Sequence, residues 1–160
     1  MPMTFRRSLP LVVAACLMLA ACGADPRASS KSMPDKMPLF PGESHQVRTL
    51  INKYADHYQV PRTLVHKVVQ RESGYNPVAK NGRYMGLMQI DPRTANTMGF
   101  SGSPQQLLDA ETNLKYAIKY LRGAWLVADG SESKAIGWYA NGYYYEAKKR
   151  GVLGQLPARD

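Results

Sequence analysis

Glu72 is the residue whose type and position are best suited to chemistry in this sequence. It lies within residues 68–77, where an apolar helical pattern ends and a polar turn begins. A carboxyl group in such a place can be held partly out of water, and both burial and the negative end of a helix dipole raise its pKa. A carboxyl that is still protonated near neutral pH can act as a general acid.

The same glutamate also has an ordinary interpretation. A glutamate at a helix end is more often solvated, or paired with a nearby base, and Arg71 and Lys67 are close in sequence. Position alone favours this interpretation. A catalytic role for Glu72 therefore depends on further motifs.

Other kinds of chemistry lack the residues that they need. His45, His57 and His66 do not have a metal-ligand spacing, and the chain that follows Cys22 has no Cys-His nucleophile pair. No glycine-rich phosphate loop is present. We therefore expect neither a metal nor an organic cofactor.

The elements that must position Glu72 are predicted mainly from helical spacing of apolar residues. The predicted helices cover residues 43–58, 61–73, a short segment after Asp91-Pro92, 111–128, 131–139 and 143–150. Ser103-Pro104 repeats the start signal of Asp91-Pro92. Gly82 and Gly86 predict turns or a short hairpin near residues 80–90. The pattern indicates a single, mostly α domain, with residues 111–128 as its core helix.

The N-terminal 21 residues are typical of an export signal. Arg6 and Arg7 precede an apolar run, residues 9–21, that is too short to span a bilayer. Cys22 follows two alanines, which resembles the lipobox of bacterial lipoproteins, so we expect lipidation at Cys22. The alternative is a plain secretory signal that is cleaved after another alanine.

The remaining organisation follows from composition. Residues 22–42 are polar and proline-rich, as in a flexible tether, residues 43–153 form the predicted domain, and residues 154–160 form a tail. Cys16 lies inside the apolar run, so no internal disulfide is expected after cleavage. We expect a monomer.

The chain carries a formal net charge of +9, which becomes +7 when Arg6 and Arg7 leave with the signal. Such an excess favours acidic partners. Export argues against nucleic acid and for an anionic wall polymer or lipid head groups. The interpretation that the charge only keeps the protein soluble is equally open.

Four motifs occur in an order that resembles the lytic transglycosylases of the soluble-lytic-transglycosylase (SLT) type, relatives of goose-type lysozyme. Together they cover about residues 47–142, and the resemblance implies an α+β lysozyme-like fold. The motifs are Glu72-Ser73-Gly74-Tyr75-Asn76-Pro77, Gly86-Leu87-Met88-Gln89-Ile90, Asn113-Leu114 with Tyr120-Leu121, and the region of Tyr139.

The resemblance also implies a role for individual residues. Glu72 matches the single catalytic acid, and Ser73 matches a neighbour whose hydroxyl can hydrogen-bond to it. Met88 and Gln89 match residues that line the sugar cleft. Tyr139 matches a tyrosine at the back of the active site, where its hydroxyl could orient the glutamate.

Other matched positions are less directly chemical. We assign Asn113, Leu114, Tyr120 and Leu121 to packing and cleft walls. The family's Tyr-Asn-Ala-Gly reads Tyr-Ala-Asn-Gly here, so Asn141 stands one place late and its substrate-binding role is open. For Gln89 and Met88, a structural role stands beside the cleft role.

The implied reaction cleaves the β-1,4 bond between N-acetylmuramic acid and N-acetylglucosamine in peptidoglycan, and leaves a 1,6-anhydro-muramic end. Hydrolytic glycosidases usually use two carboxylates. No second acid is evident beside Glu72, but Asp91 or a more distant acid is open. The alternatives are a hydrolytic muramidase and an inactive module for peptidoglycan binding or secretion assembly. The expected location is the envelope, at the outer membrane facing the periplasm in a Gram-negative cell.

Overall fold

Helices make up most of residues 37–157, the part that the computed structural model describes. Within that part a two-stranded antiparallel sheet pairs β1 (Lys80–Asn81) with β2 (Tyr84–Met85). The six α-helices of this part are α1 His45–His57, α2 Arg62–Ser73, α3 Pro92–Thr97, α4 Ala110–Leu126, α5 Glu132–Asn141 and α6 Tyr144–Lys149. Two 3₁₀ helices cover Pro104–Leu108 and Leu153–Gln155. The prediction of a mostly α fold with a short hairpin near residues 80–90 is confirmed.

Local capping explains where the helices begin. The side chain of Ser44 accepts a hydrogen bond from the N–H of Val47 at the start of α1. Asp91 caps α3 in the same way, with Pro92 as the first helical residue. Asp109 caps α4, so this helix begins one residue before the predicted position. Because these signals are local, the helix starts agree closely with prediction.

Two helix ends show how glycine terminates a helix. Gly74 adopts a left-handed conformation with φ 57° and ends α2 directly after the Glu72 motif. The N–H of Gly142 donates to the carbonyl of Trp138, so α5 continues to Asn141 and passes the predicted end at residue 139.

Helix α4 forms the centre of the core, as predicted. It packs against both α1 and α5. The side chains on its inner face are fully buried: Leu114, Ala117, Ile118, Leu121 and Ala124. Burial of a large apolar side chain of this kind contributes about 1.5–3 kcal/mol. This packing provides the rigid support on which the site elements are mounted.

The segment before α1 is attached to the domain through Arg48. The guanidinium donates to the carbonyl oxygens of Met37 (3.2 Å) and Pro38 (3.1 Å), and it forms a buried ion pair with Glu43. The Phe40 ring stacks near Tyr75, with 5.9 Å between ring centroids. Residues 37–42, which composition assigns to the flexible tether, therefore contact the domain.

The predicted signal peptide and Cys22 lie outside the described residues, as does the end of the tail. Across residues 37–157, no helix has both the length and the apolar character that crossing a bilayer requires.

Candidate functional site

Glu72 is the second-last residue of α2, at the place where the buried face of this helix meets a surface pocket. Its side chain is 22% exposed. Burial raises the pKa of its carboxyl above the ordinary value, and the positive charge of Arg71, whose Nε lies 3.6 Å from Oε1, lowers it by less. The net upward direction is the one predicted from the position of Glu72 at the helix end.

The pairing that would make Glu72 an ordinary surface acid is weak. Lys67, one of the two bases proposed for it, instead binds Glu132 at 2.6 Å. The contact with Arg71 is long, and the Arg71 side chain is about half exposed. Glu72 therefore keeps a carboxyl group that is free to face a ligand.

The pocket beside Glu72 has a volume of about 230 Å³ and lies between α2, the hairpin and α5. Its other lining residues are Arg71, Asn81, Tyr84, Gln89, Tyr139 and Ala140. Among these described lining residues Glu72 is the single acid.

Two further pockets continue this space into a groove. The next pocket, of about 220 Å³, shares Tyr84, Gln89, Tyr139 and Ala140 with the pocket of Glu72. A third, of about 550 Å³, shares its lining with the second at Asp91, Thr94, Tyr120 and Gly142. Glu72 lies at one end of this groove.

The loop of residues 86–89 brings Gln89 to the edge of the site, and hydroxyl groups hold the loop backbone. The Ser73 hydroxyl donates to the carbonyl oxygen of Leu87 (2.7 Å), and the Tyr139 hydroxyl donates to that of Met88 (2.9 Å). Both hydroxyls were predicted to serve Glu72, so this is a correction. Buried carbonyl groups need donors, and the loop supplies two such carbonyls at this point.

Tyr139 nevertheless belongs to the site. It lines the pocket of Glu72, and its own pKa is raised well above the ordinary value, first by burial and then by the charge of Glu72. Its hydroxyl therefore stays protonated and keeps donating to the loop.

Of the two roles left open for Met88, the structure shows the structural one and not the cleft role. Its side chain is fully buried in the core beside Leu87. An apolar thioether gains more from the core than from a wet cleft, and the contribution of Met88 to the site is its backbone carbonyl.

Gln89 combines the two roles that were left open for it. It borders the first two pockets, and its Nε2 donates to the carbonyls of Ala79 (3.1 Å) and Gly86 (2.9 Å). Gln89 has a left-handed φ of 48°, which these bonds help to hold.

Asn141 lies exposed at the rim of the groove. Its Nδ2 donates to the carbonyl of Gly137 (3.0 Å), and the residue lines the second pocket. The shifted asparagine is thus present at the groove, one pocket away from Glu72.

Asp91, the open candidate for a second acid, is engaged by two cations. Its Oδ2 lies 2.8 Å from Arg83 and 3.1 Å from Arg93. Burial raises the pKa of its carboxyl, but the hydrogen bonds and charges of the two arginines outweigh burial and lower the pKa. Asp91 lines the second and third pockets, whereas Glu72 lines the first.

Two site residues were missed by sequence reasoning. Asn81 and Tyr84 lie on the hairpin and face Glu72 across the pocket. The sequence offers one indication for them, their location between the Glu72 motif and the Gly86 turn. Location in the chain does not predict which way a side chain points. Over residues 37–157, no group of three or more His, Cys, Asp or Glu residues could hold a metal ion.

Comparison with known proteins gives one family. The family model described as "Transglycosylase SLT domain" matches residues 49–154, which include Glu72, the loop and Tyr139. The chain is 36% identical over 81 residues to the soluble lytic murein transglycosylase of Escherichia coli (strain K12), which is 46% of this chain and 12% of that protein. It is 34% identical over 86 residues to the membrane-bound lytic murein transglycosylase C of Yersinia pestis (strain Pestoides F), which is 49% of this chain and 24% of that protein.

A solved structure shows the same likeness. The complex of the 70-kDa soluble lytic transglycosylase with bulgecin A superposes with a TM-score of 0.56 and 28% sequence identity, covering 66% of this chain and 18% of that chain. The matched part therefore spans less than a quarter of the length of these relatives.

Proposed function

The chain belongs to the transglycosylase SLT domain family, and from this membership and the geometry around Glu72 we propose that it is a peptidoglycan lytic transglycosylase. The reaction is cleavage of the β-1,4 bond between N-acetylmuramic acid and N-acetylglucosamine with formation of a 1,6-anhydro-muramic end. The observation that carries the proposal is a half-buried acid with a raised pKa, the one acid among the described residues that line its pocket, at one end of the groove.

In the first step, the protonated carboxyl of Glu72 gives its proton to the glycosidic oxygen. The bond between this oxygen and C1 of the muramic ring breaks, and the N-acetylglucosamine side leaves with a free hydroxyl. Burial favours the protonated form that this step requires. The muramic ring is left with positive charge at C1.

In the second step, the carboxylate of Glu72 takes the proton of the C6 hydroxyl of the same sugar. The C6 oxygen bonds to C1, which closes the 1,6-anhydro ring and restores the protonated Glu72. The nucleophile comes from the substrate, so one acid that acts as acid and then as base is sufficient. This accounts for a pocket with Glu72 as its one acid among the described lining residues.

The products decide between this reaction and hydrolysis, which would use a second carboxylate to activate water. Purified sacculi are digested with the protein and the products are identified by mass spectrometry. We expect anhydro-muramic ends. Reducing muramic ends would reject the lyase reaction and support a hydrolytic muramidase.

Replacement of the acid tests whether the protein is an enzyme at all. Glu72→Gln should lower the rate of sacculus clearing by about 10²- to 10⁴-fold, because the proton donor is lost while the shape is kept. Glu132→Gln, which changes a partly exposed acid of α5 that lies outside the lining of the groove, is the matched control and should keep activity. If the wild-type protein and the Glu72→Gln variant were both inactive on sacculi and both bound them, the binding-module alternative would be favoured.

We also propose that the protein is lipid-anchored through Cys22 and acts from the envelope. The support is the small-residue and cysteine pattern after the apolar run, and the membrane-bound transglycosylase C among the relatives. Gly23, in place of Asp, favours the outer membrane facing the periplasm in a Gram-negative cell. Cys22→Ala should move the protein from the membrane fraction to the soluble fraction, and unchanged membrane association would refute lipidation at this site.

A further inference from the structure

Asn113, in the first turn of α4, directs its side chain to backbone groups of β2, of the loop that follows it and of the 3₁₀ helix Pro104–Leu108. It is fully buried. Its Oδ1 accepts from the N–H of Met88 (2.9 Å), and its Nδ2 donates to the carbonyls of Met85 (2.8 Å) and Leu107 (2.8 Å). One amide thereby satisfies three backbone groups that the fold has removed from water.

The fit between Asn113 and the loop depends on Gly86. A Cβ atom at this position would lie 2.3 Å from Nδ2 of Asn113 and 2.4 Å from the carbonyl oxygen of Leu107. The glycine also has a φ of 74°, which other residues rarely adopt. The amide and the loop therefore meet in a contact that a larger residue would prevent.

The opposite side of the loop carries the groups that contact the Glu72 region. The carbonyls of Leu87 and Met88 accept from Ser73 and Tyr139, respectively. Ser73 is the neighbour of Glu72, and Tyr139 lines its pocket. The loop is thus held from behind by Asn113 and from the front by the two hydroxyl groups.

We propose that Asn113 is a positioning residue for Glu72, which fixes residues 86–89 where Ser73 and Tyr139 bind them and so keeps Gln89 in place in the lining of the pocket and the acid partly buried. The part of this proposal that concerns catalysis rests on the proposed function. The part that concerns the loop and the environment of Glu72 does not.

The expected consequence of losing the amide is entry of water beside Glu72. Burial is the largest cause of the raised pKa of this carboxyl, so a looser loop should lower that pKa towards the ordinary value. The ionisable groups that line the pocket are Arg71 on α2, Tyr84 on β2 and Tyr139 on α5. None of them is altered by a change at residue 113.

The test compares Asn113→Ala with Ile51→Ala, a control that creates a cavity in α1 within the same core. Amide hydrogen exchange at Met88 and the titration of the Glu72 carboxyl are followed by NMR, and the clearing rate of sacculi is measured. In Asn113→Ala we expect Met88 exchange to be faster by about 5- to 150-fold. We also expect a lower pKa for Glu72 and a clearing rate reduced by about tenfold to a hundredfold. Ile51→Ala should lower stability without moving the Glu72 titration.

Asn113→Leu keeps the approximate size of the side chain, carries no charge, and removes both the acceptor for the Met88 N–H and the donor to Met85 and Leu107. It should shift the Glu72 titration in the same direction as Asn113→Ala, and it carries the test if the alanine variant does not fold. Wild-type Met88 exchange and an unchanged Glu72 titration in the folded variants would overturn the proposal. A wild-type protein that is inert on sacculi would reject the proposed function only, because exchange and titration require no substrate.

Discussion

The hydroxyl group of Ser73 lies 2.7 Å from the carbonyl oxygen of Leu87 and donates to it, so the residue that follows the acid in α2 is attached to the loop that carries Gln89 into the same pocket. The hydroxyl group of Tyr139, on α5, donates to the next carbonyl of the same loop at 2.9 Å. Two helices thus hold adjacent peptide units of one loop.

Ser73→Ala and Tyr139→Phe should each lower the free energy of unfolding by about 1–3 kcal/mol, since each leaves a loop carbonyl without its donor. The two hydrogen bonds hold the same loop. The loss of unfolding free energy in the double variant should therefore differ from the sum of the losses in the two single variants by at least about 0.5 kcal/mol. Urea denaturation of the single and double variants measures this coupling. Ser133→Ala, at an exposed position of α5, is the control, and additive costs would contradict a shared loop.

Arg71→Gln should shift the decline of activity at high pH to higher pH. The charge of Arg71 lowers the pKa of Glu72, so its removal raises that pKa, and the protonated form that starts the reaction persists to higher pH. Initial clearing rates of sacculi across pH measure the shift. Lys67→Gln, which removes a cation that is paired with Glu132, should leave the decline in place. A decline that moves to lower pH in Arg71→Gln would refute the electrostatic link.

Two helical glycines should respond to alanine with opposite signs. Gly137 in α5 has open space where the methyl group of an alanine would lie, so Gly137→Ala should raise the free energy of unfolding by about 0.5–1 kcal/mol. At Gly123 in α4 the new Cβ would lie 2.3 Å from the Tyr143 ring, so Gly123→Ala should lower the free energy of unfolding by about 1–3 kcal/mol. Thermal denaturation of both variants tests the two opposite signs. Stabilisation by both substitutions would contradict the prediction for Gly123 and would mean that the Tyr143 ring can move aside.

His66 should make the fold less stable in mild acid. Burial lowers the pKa of this imidazole to about 4, more than the nearby charge of Glu43 raises it. The unfolded chain therefore binds a proton that the folded chain does not bind between about pH 6.5 and pH 4. The stability contribution is complete above pH 6.5 and is lost as pH falls, by about 3 kcal/mol in total.

Urea denaturation at several pH values checks this for wild type, for His66→Gln and for the exposed control His57→Gln. The slope of stability with pH should flatten in His66→Gln and persist in His57→Gln. The pKa of Glu43 is lowered below its ordinary value, because the hydrogen bonds and charges around it outweigh burial. Protonation of Glu43 therefore changes the stability only at a lower pH than protonation of His66 does. An unchanged slope in His66→Gln would assign the acid sensitivity to other groups.

The helices could be predicted because their signals are local. The Asp91-Pro92 start and the Gly74 stop lie within a turn of the residues that they affect. The position of Glu72 at the end of an apolar face follows from the same spacing, and so does the direction of its pKa.

The hydrogen-bond partners in the site could not be predicted in this way. Ser73 and Leu87 are 14 residues apart, and Tyr139 and Met88 are 51 apart. Which carbonyl becomes buried beside a given hydroxyl is set by the packing of α2, α5 and the loop, and motif order carries no such information. For the same reason a cleft role and a core role both stayed open for the side chain of Met88, which the fold places in the core.

The hydrogen bonds from Arg48 to Met37 and Pro38 attach the chain to the domain at residue 37. If Cys22 carries the lipid anchor, they therefore limit the length of the segment between the anchor and the domain. Only residues 23–36 then separate the lipid from the first clamped residue, and 15 Cα-to-Cα steps span at most about 50 Å. With such an anchor, the groove would reach only those glycan strands that run within that distance of the membrane, enlarged by the size of the domain itself. The number of residues between Cys22 and Met37 would then limit the depth of wall that is accessible, and lengthening this segment should open more distant layers to the same site.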